Sequence, residues 1–188
     1  MSQSGRNATL GPVFIDWKAC AVMSIHVVFV CLGNICRSPA AQGVFEELLK
    51  QNGLTSAISV DSCGTAAFNI GKSPDTRSVQ AALKRGYRID HQIARQIDDS
   101  DYERADYVVA MDRMNLTNIV AWAPAGYSGE LKLLMDYCGN AGNTQIPDPY
   151  YGDDSAFDLV IAQIENAAAG LLTYICAKHD LKPTDNAV

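Results

Sequence analysis

Apolar positions along the chain fall into two patterns that alternate, short unbroken runs and longer stretches at helical spacing. "IHVVFV", Ile25 to Val30, is apolar at nearly every position and rich in β-branched residues, as in a strand buried on both faces of a parallel sheet. A helix is predicted next, with Ser38 as its cap and Pro39 in its first turn; Val44, Phe45, Leu48 and Leu49 recur on one side until Asn52 and Gly53 stop it. "AISV", Ala57 to Val60, reads as a second strand, and Asp75 opens a helix through Val79 and Leu83 to Gly86. "DYVVAM", Asp106 to Met111, reads as a third strand, followed by a helical stretch around Leu116 to Trp122, and "LKLLM", Leu131 to Met135, as a fourth. A long loop, Asp136 to Asp154, leads into the clearest stripe in the chain: Phe157, Val160, Ile161, Ile164, Ala168, Leu171, Leu172 and Ile175. Strands alternating with helices predict an α/β single-domain, three-layer sandwich, with a central four-stranded parallel sheet and helices on both faces.

Composition supports one folded unit. The 188 residues are 48% hydrophobic and 19% charged, which is globular rather than disordered. The domain is read as residues 24–180. Residues 1–23 are expected to be a weakly ordered or added extension, with Met23 as a natural start, and residues 181–188 a frayed tail. The run Ala19 to Leu32 superficially resembles a signal sequence, yet Ser24 and His26 interrupt it and it is too short to span a bilayer. No membrane insertion is expected. A net charge of −6 without a Lys/Arg cluster argues against a nucleic acid partner. Six cysteines (Cys20, Cys31, Cys36, Cys63, Cys138 and Cys176) make an even count, but a chain of this length needs no disulfide staples, so reduced thiols in a cytoplasm are expected. His26, His91 and His179 lack metal-ligand spacing, and neither metal nor cofactor is expected.

The chemistry enters where the first strand ends. In parallel sheets, ligands bind beyond the carboxyl ends of the strands, and "CLGNICRS", Cys31 to Ser38, lies there. The amides of Leu32, Gly33, Asn34, Ile35, Cys36 and Ser38 can wrap into an inward-facing nest, reinforced by the following helix N-terminus. Such a cup suits a phosphate. Gly33 permits close approach, Asn34 can bridge the loop or adopt a left-handed conformation, and Arg37 offers a planar fork for two oxygens. Cys31, at the base of this positive field, should be favoured as the thiolate nucleophile. The pattern points to phosphoryl transfer through a phosphocysteine, with Arg37 and the amides stabilising the equatorial oxygens. A Cys with an Arg six positions later is weak by itself; the strand, the glycine, the Ser-Pro and a second motif downstream give it weight.

That motif is "IPDPYYGDD", Ile146 to Asp154. Expulsion of an alkoxide or phenoxide requires an acid, and Asp148, held between Pro147 and Pro149, offers a carboxyl on a restricted loop. Tyr150 and Tyr151 are expected to line the pocket mouth and stack on an aryl substrate. A recessed thiolate behind aromatic walls suits phosphotyrosine.

"VCLGNICRSPAAQGVF", "VDSCGT", "ARQI", "VVAMD" and "DPYYGDDSAFD", in this order, resemble the low-molecular-weight protein tyrosine phosphatases over about Ile25 to Lys178. The resemblance implies a single α/β domain with a four-stranded parallel sheet, cytoplasmic residence, no metal, and phosphotyrosine-containing proteins as substrates. It implies Cys31 as nucleophile, Arg37 as transition-state clamp and Asp148 as general acid, with Asn34, Ser38 and Ser62 in the network holding the loop. It places Tyr150 and Phe68 beside the substrate ring and makes Cys36 the second thiol of a protective disulfide with Cys31. Two positions depart from the pattern: Cys63 stands where alanine is common, and near the usual position of a loop-supporting histidine stand His91, one place early, and Gln92.

Three rivals were weighed on the same residues. Arsenate reduction uses the same loop but needs a thiol relay that Cys63, Cys138 and Cys176 do not outline. Phosphoarginine hydrolysis is favoured in related proteins by threonine at the position of Ile35. A non-catalytic phosphate-binding module would not need both Cys31 and Asp148.

Overall fold

The computed structural model describes residues 24–139 and 144–184. The expected extension at residues 1–23 lies outside them, as do residues 185–188 of the tail. Four parallel strands run in the order β2-β1-β3-β4: β1 is Ile25–Cys31, β2 Ile58–Gly64, β3 Tyr107–Ala110 and β4 Glu130–Leu133. Register places Cys31 opposite Gly64, Val30 opposite Ala110, and Ala110 opposite Leu133. All four carboxyl ends therefore open on one edge. The chain turns one way from β1 to β2 and the other way to β3, so the crevice between the β1 and β3 loops is the topological switch point.

The buried run of β1 alternates as a central strand should. Val27, Phe29 and Cys31 face one layer, where α1 (Arg37–Gln51) and α5 (Asp154–His179) pack, and Val28 and Val30 face the other. The first layer is the larger, with Phe29 edge-on to Phe45 at 5.6 Å and Ile161, Ile164, Leu171 and Ile175 of α5 fully enclosed. Length and apolarity alone would let α5 cross a membrane, but here its stripe is spent on the core against α1. The second layer contains Ile119 of α4 (Arg113–Trp122) and Tyr102 of α3 (Asp99–Arg104).

Aspartates open the later helices. Asp75 caps α2 (Thr76–Lys84), Asp98 forms a capping box with Asp101 on α3, Asp112 caps α4 and Asp153 caps α5. Ser38, expected as the cap of α1, is not: Cys36 occupies that position without a side-chain bond, and Ser38 lies in the first turn with its hydroxyl turned back under the preceding loop. Five further features differ from the sequence expectation. β2 runs on to Gly64 because it pairs with β1 along its whole length. β4 is a residue earlier and shorter, and Leu134–Tyr137 tightens into a 3-10 turn. The polar helix α3 carries no apolar period and was not predicted. Leu83 points outward, since α2 packs through Ala81, Ala82 and Ser78 instead. The tail is held farther than residue 180, with Leu181 against the core and the Thr184 amide donating to the Asn52 carbonyl.

Candidate active site

The loop between β1 and α1 is shaped by where its carbonyls go. The Cys31 carbonyl accepts from the Thr65 amide and that of Leu32 from the Ala66 amide, both at 2.9 Å. Asn69 Nδ2 donates to the Gly33 carbonyl. The Asp75 amide donates to Ile35 at 2.7 Å, and the Ser78 hydroxyl to Cys36 at 3.1 Å. Five carbonyls are thus drawn outward. In a trans peptide the N–H lies opposite the C=O, so the amides turn toward the inside of the ring.

Asn34 holds the ring closed. It sits at φ 52°, a conformation that asparagine tolerates better than most residues, and it is buried. Its Nδ2 donates to Ser38 Oγ and Ser62 Oγ, both at 2.9 Å, while its Oδ1 accepts from the Arg95 amide at 2.9 Å. Its own amide points at Cys31 Sγ, 3.2 Å away. Ser38 Oγ approaches the same sulfur at 3.1 Å and the Cys63 carbonyl at 3.1 Å, sharing one proton between them. Two donors are thus aimed at the sulfur. A side chain at Gly33 would collide with Asn69 Nδ2 at 2.6 Å, and one at Gly64 with the Leu32 carbonyl at 2.9 Å. Gly64 lets the loop lie against the end of β2, and Gly33 lets Asn69 close on it.

Arg37 is 2% exposed and fixed from below. Its Nη1 donates to Asp112 Oδ2 at 2.6 Å and to the Ile146 carbonyl at 3.2 Å, while Nη2 reaches Asp148 Oδ2 at 2.8 Å. Burial works against its charge, but Cys31, Asp148 and Asp112 outweigh that and hold the guanidinium above its ordinary pKa. The Asp148 carboxylate also accepts from the Tyr150 amide.

These groups surround one cavity of about 370 Å³, lined at its floor by Cys31, Cys36 and Arg37, along its wall by Leu32, Gly33 and Ile35, and at its mouth by Phe68, Asn69, Lys72, Asp148, Tyr150 and Tyr151. Of the residues expected to contact substrate, Cys31, Leu32, Gly33, Ile35, Cys36, Arg37, Phe68, Asp148, Tyr150 and Tyr151 line this cavity, whereas Asn34 and Ser38 do not: both are buried beneath the loop, where their side chains bond each other. Cys31 itself is only 3% exposed, a sulfur recessed at the bottom of a well. Tyr150 and Tyr151 meet edge to face at 5.1 Å, and Tyr151 projects almost wholly into solvent. Ser62 lies behind the loop as expected, bonded to Asn34. Of the two residues near the usual histidine position, His91 is exposed, and Gln92 Nε2 donates to the Pro39 carbonyl at 3.1 Å, bracing the first turn of α1. Burial pushes the Cys36 and Cys63 thiols up, so both stay protonated near neutrality.

Sequence reasoning missed three supports. Asp112 anchors Arg37; it closes "VVAMD" just beyond a predicted strand, but nothing in that motif assigned it a role. Arg95, whose amide closes the loop, is itself gripped by fully buried Asp101 at 2.8 Å through both oxygens and by Asp61. Asn69 and Lys72 carry no motif that would mark them, and Lys72 Nζ bonds Asn69 Oδ1 at 2.9 Å beside the cavity.

The comparisons agree with this geometry. The family model for low molecular weight phosphotyrosine protein phosphatases matches residues 26–181, and the chain belongs to that family. A Synechocystis sp. protein bearing a low molecular weight protein-tyrosine-phosphatase name is 44% identical over 79% of this chain and 95% of its own length. The low molecular weight phosphotyrosine protein phosphatase of Schizosaccharomyces pombe is 37% identical over 81% and 97%. A crystal structure of a protein tyrosine phosphatase from Entamoeba histolytica, with Hepes in its active site, overlays with a TM-score of 0.77 at 35% identity, covering 84% of this chain and 99% of that one.

Because Asn34 serves both as the left-handed corner and as the hub of the network, Asn34→Ala should weaken competitive inhibition by inorganic phosphate about tenfold, the equivalent of about 1.4 kcal/mol. It should also lower stability to urea by about 1–3 kcal/mol, since its buried partners lose their bonds. Inhibition and stability both unchanged would show that the loop is held without it.

Proposed function

We propose that this chain is a cysteine-dependent protein-tyrosine phosphatase that hydrolyses phosphotyrosine and other aryl phosphate monoesters through a phosphocysteine intermediate. The observation that carries the reading is the alignment of Cys31 Sγ, the phosphate-loop amides turned inward by the outward-bonded carbonyls, and Arg37 around one recess, with Asp148 at its mouth. Hepes, a sulfonate, in the active site of the Entamoeba histolytica relative supports an oxyanion as the occupant of such a recess.

In the first step the Cys31 thiolate attacks phosphorus, the S–P bond forms, and the P–O bond to the phenol breaks. Charge that builds on the equatorial oxygens is met by the amides and Arg37. Asp148 supplies the proton to the departing oxygen. Its salt bridge to Arg37 Nη2 at 2.8 Å places the carboxyl beside the phosphate cup, where an incoming dianion competes for the same guanidinium. In the second step Asp148, now a carboxylate, takes a proton from water as that water attacks phosphorus, releasing phosphate and restoring the thiolate. Leu32, Gly33, Ile35 and Cys36 form the wall and floor of the phosphate cup, Asn34 and Ser38 support it from beneath, and Phe68, Tyr150 and Tyr151 hold the ring.

Depth favours phosphotyrosine over phosphoserine, since only a flat aryl group bridges the distance from the recessed sulfur to the aromatic rim. Ile35 in the cavity wall favours an aryl ester over phosphoarginine. Among the described residues Cys31, Cys36, Cys63, Cys138 and Cys176 are unpaired, which suits a reducing cytoplasm. The net charge of −6 suits protein rather than nucleic acid substrates.

Redox control of the same site belongs to the proposal. Peroxide would oxidise the Cys31 thiolate to a sulfenic acid with release of hydroxide, and the Cys36 thiol would condense with it to a disulfide and water. Both sulfurs line one cavity, and the Cys36 thiol, held protonated by burial, brings the proton that the condensation releases in water.

Cys31→Ser should abolish hydrolysis of aryl phosphate while inorganic phosphate still binds measurably; retained turnover would refute the nucleophile. Asp148→Ala should slow kcat/KM by roughly 10²-fold for phenyl phosphate and far less for esters of acidic phenols, whereas equal slowing throughout would count against an acid. Inactivation by mild peroxide should reverse with thiol, and peptide mapping of the inactive form should find Cys31 joined to Cys36. A reversible loss of activity without that linkage would dismiss the disulfide.

A further inference from the structure

Arg77 lies on the first turn of α2, outside the cavity lining, yet its guanidinium reaches in three directions. Nε and Nη2 grip the two oxygens of Asp75 at 3.0 and 2.8 Å. Nη1 donates to the Gly152 carbonyl at 3.3 Å, on the loop that carries the acid. The guanidinium plane also lies over two rings, 4.6 Å from the centroid of Phe157 and 5.6 Å from that of Tyr150. An ion pair serving only to stabilise α2 would need none of the last three contacts.

Each end of this bridge continues into the chemistry. The Asp75 amide donates to the Ile35 carbonyl of the phosphate loop, and Ser78 on the same turn holds the Cys36 carbonyl. At the other end, the Gly152 amide closes a turn onto the Pro149 carbonyl, and the Tyr150 amide donates to Asp148 Oδ1. A side chain at Gly152 would meet Ala156 at 2.6 Å, so that the turn is pinned against α5 as well. The Arg77 grip also holds the Asp75 carboxyl below its ordinary pKa, keeping it charged through the neutral range. Only a planar fork can chelate one carboxylate, donate sideways and stack on rings at once; a lysine cannot.

We propose that Arg77 is a positioning residue for proton transfer: it ties the turn bearing Asp148 and Tyr150 to the base of the phosphate loop, and so sets the reach of the Asp148 carboxyl toward the leaving oxygen. The proposal rests on the reading of Asp148 as the acid. Loosening the tie leaves the amide cup intact and misplaces the carboxyl. The loss therefore concentrates on substrates that need the proton.

The test is kcat/KM for a series of aryl phosphates of rising phenol pKa, measured for the wild type, Arg77→Met and Asp148→Ala, with inhibition by inorganic phosphate measured alongside. Methionine keeps an unbranched side chain at this position and removes the fork. Arg77→Met should lose about tenfold on phenyl phosphate and less than about twofold on dinitrophenyl phosphate, with the phosphate inhibition constant within about twofold of wild type. A steep Asp148→Ala series beside an Arg77→Met series that falls equally for every leaving group, or not at all, would overturn the proposal alone. Phosphate inhibition weakened in step with the rate would overturn it too, by placing the damage in the cup. A flat Asp148→Ala series would remove the acid and the role of Arg77 together.

Discussion

The outward hydrogen bonds of the carbonyls of Cys31, Leu32, Gly33, Ile35 and Cys36 fix the shape on which the rest of the site depends. Left to itself, a short loop between a strand and a helix would scatter its peptide dipoles. Here five donors from neighbouring segments pull on one side of the ring, and planarity turns the amides to the other. The resulting field needs no charged side chain to attract an anion. Arg37 then adds a charge whose direction is set by Asp112 and the Ile146 carbonyl before any substrate arrives.

Asn34 is where sequence, backbone and chemistry meet. Its left-handed backbone makes the corner, its amide group satisfies Ser38, Ser62 and Arg95, and its own N–H reaches the sulfur. The cost of burying these polar groups is offset because they bond one another. Behind them, Arg95 is locked by a carboxylate of Asp101 that is completely enclosed. That pair is far more sensitive to losing one partner than to being present at all, which makes the rigidity of the loop contingent on a segment, α3, with no residue in the cavity.

Much of this was legible in the residues, for identifiable reasons. β1 and β3 could be read because burial on both faces leaves unbroken apolar runs, and α5 because its stripe runs from Phe157 to Ile175 along a 26-residue helix. The phosphate loop and the Asp148 loop could be read because their chemistry is local: a glycine, a prolyl restriction and a reactive group within a few positions. Ser38 misled because a Ser-Pro at a helix start usually caps it, and here the hydroxyl is drawn back toward Cys31 instead. Asp112 and Arg95 stand inside "VVAMD" and "ARQI", yet their roles, like those of Asn69 and Arg77, could not be read, since each acts on a partner 36 or more positions away or through its backbone. α3 was invisible because a polar helix held by a capping box has no period to detect.

The account stands on the Cys31 sulfur making a bond to phosphorus inside that ring. The most direct measurement is acid quenching of a single turnover of aryl phosphate within milliseconds, followed by peptide mapping of the trapped protein. A phosphate adduct on Cys31 that appears before inorganic phosphate and decays as phosphate is released is the predicted result. Inorganic phosphate formed at full rate with no adduct on Cys31 at any time, or with the adduct on another residue, would contradict it.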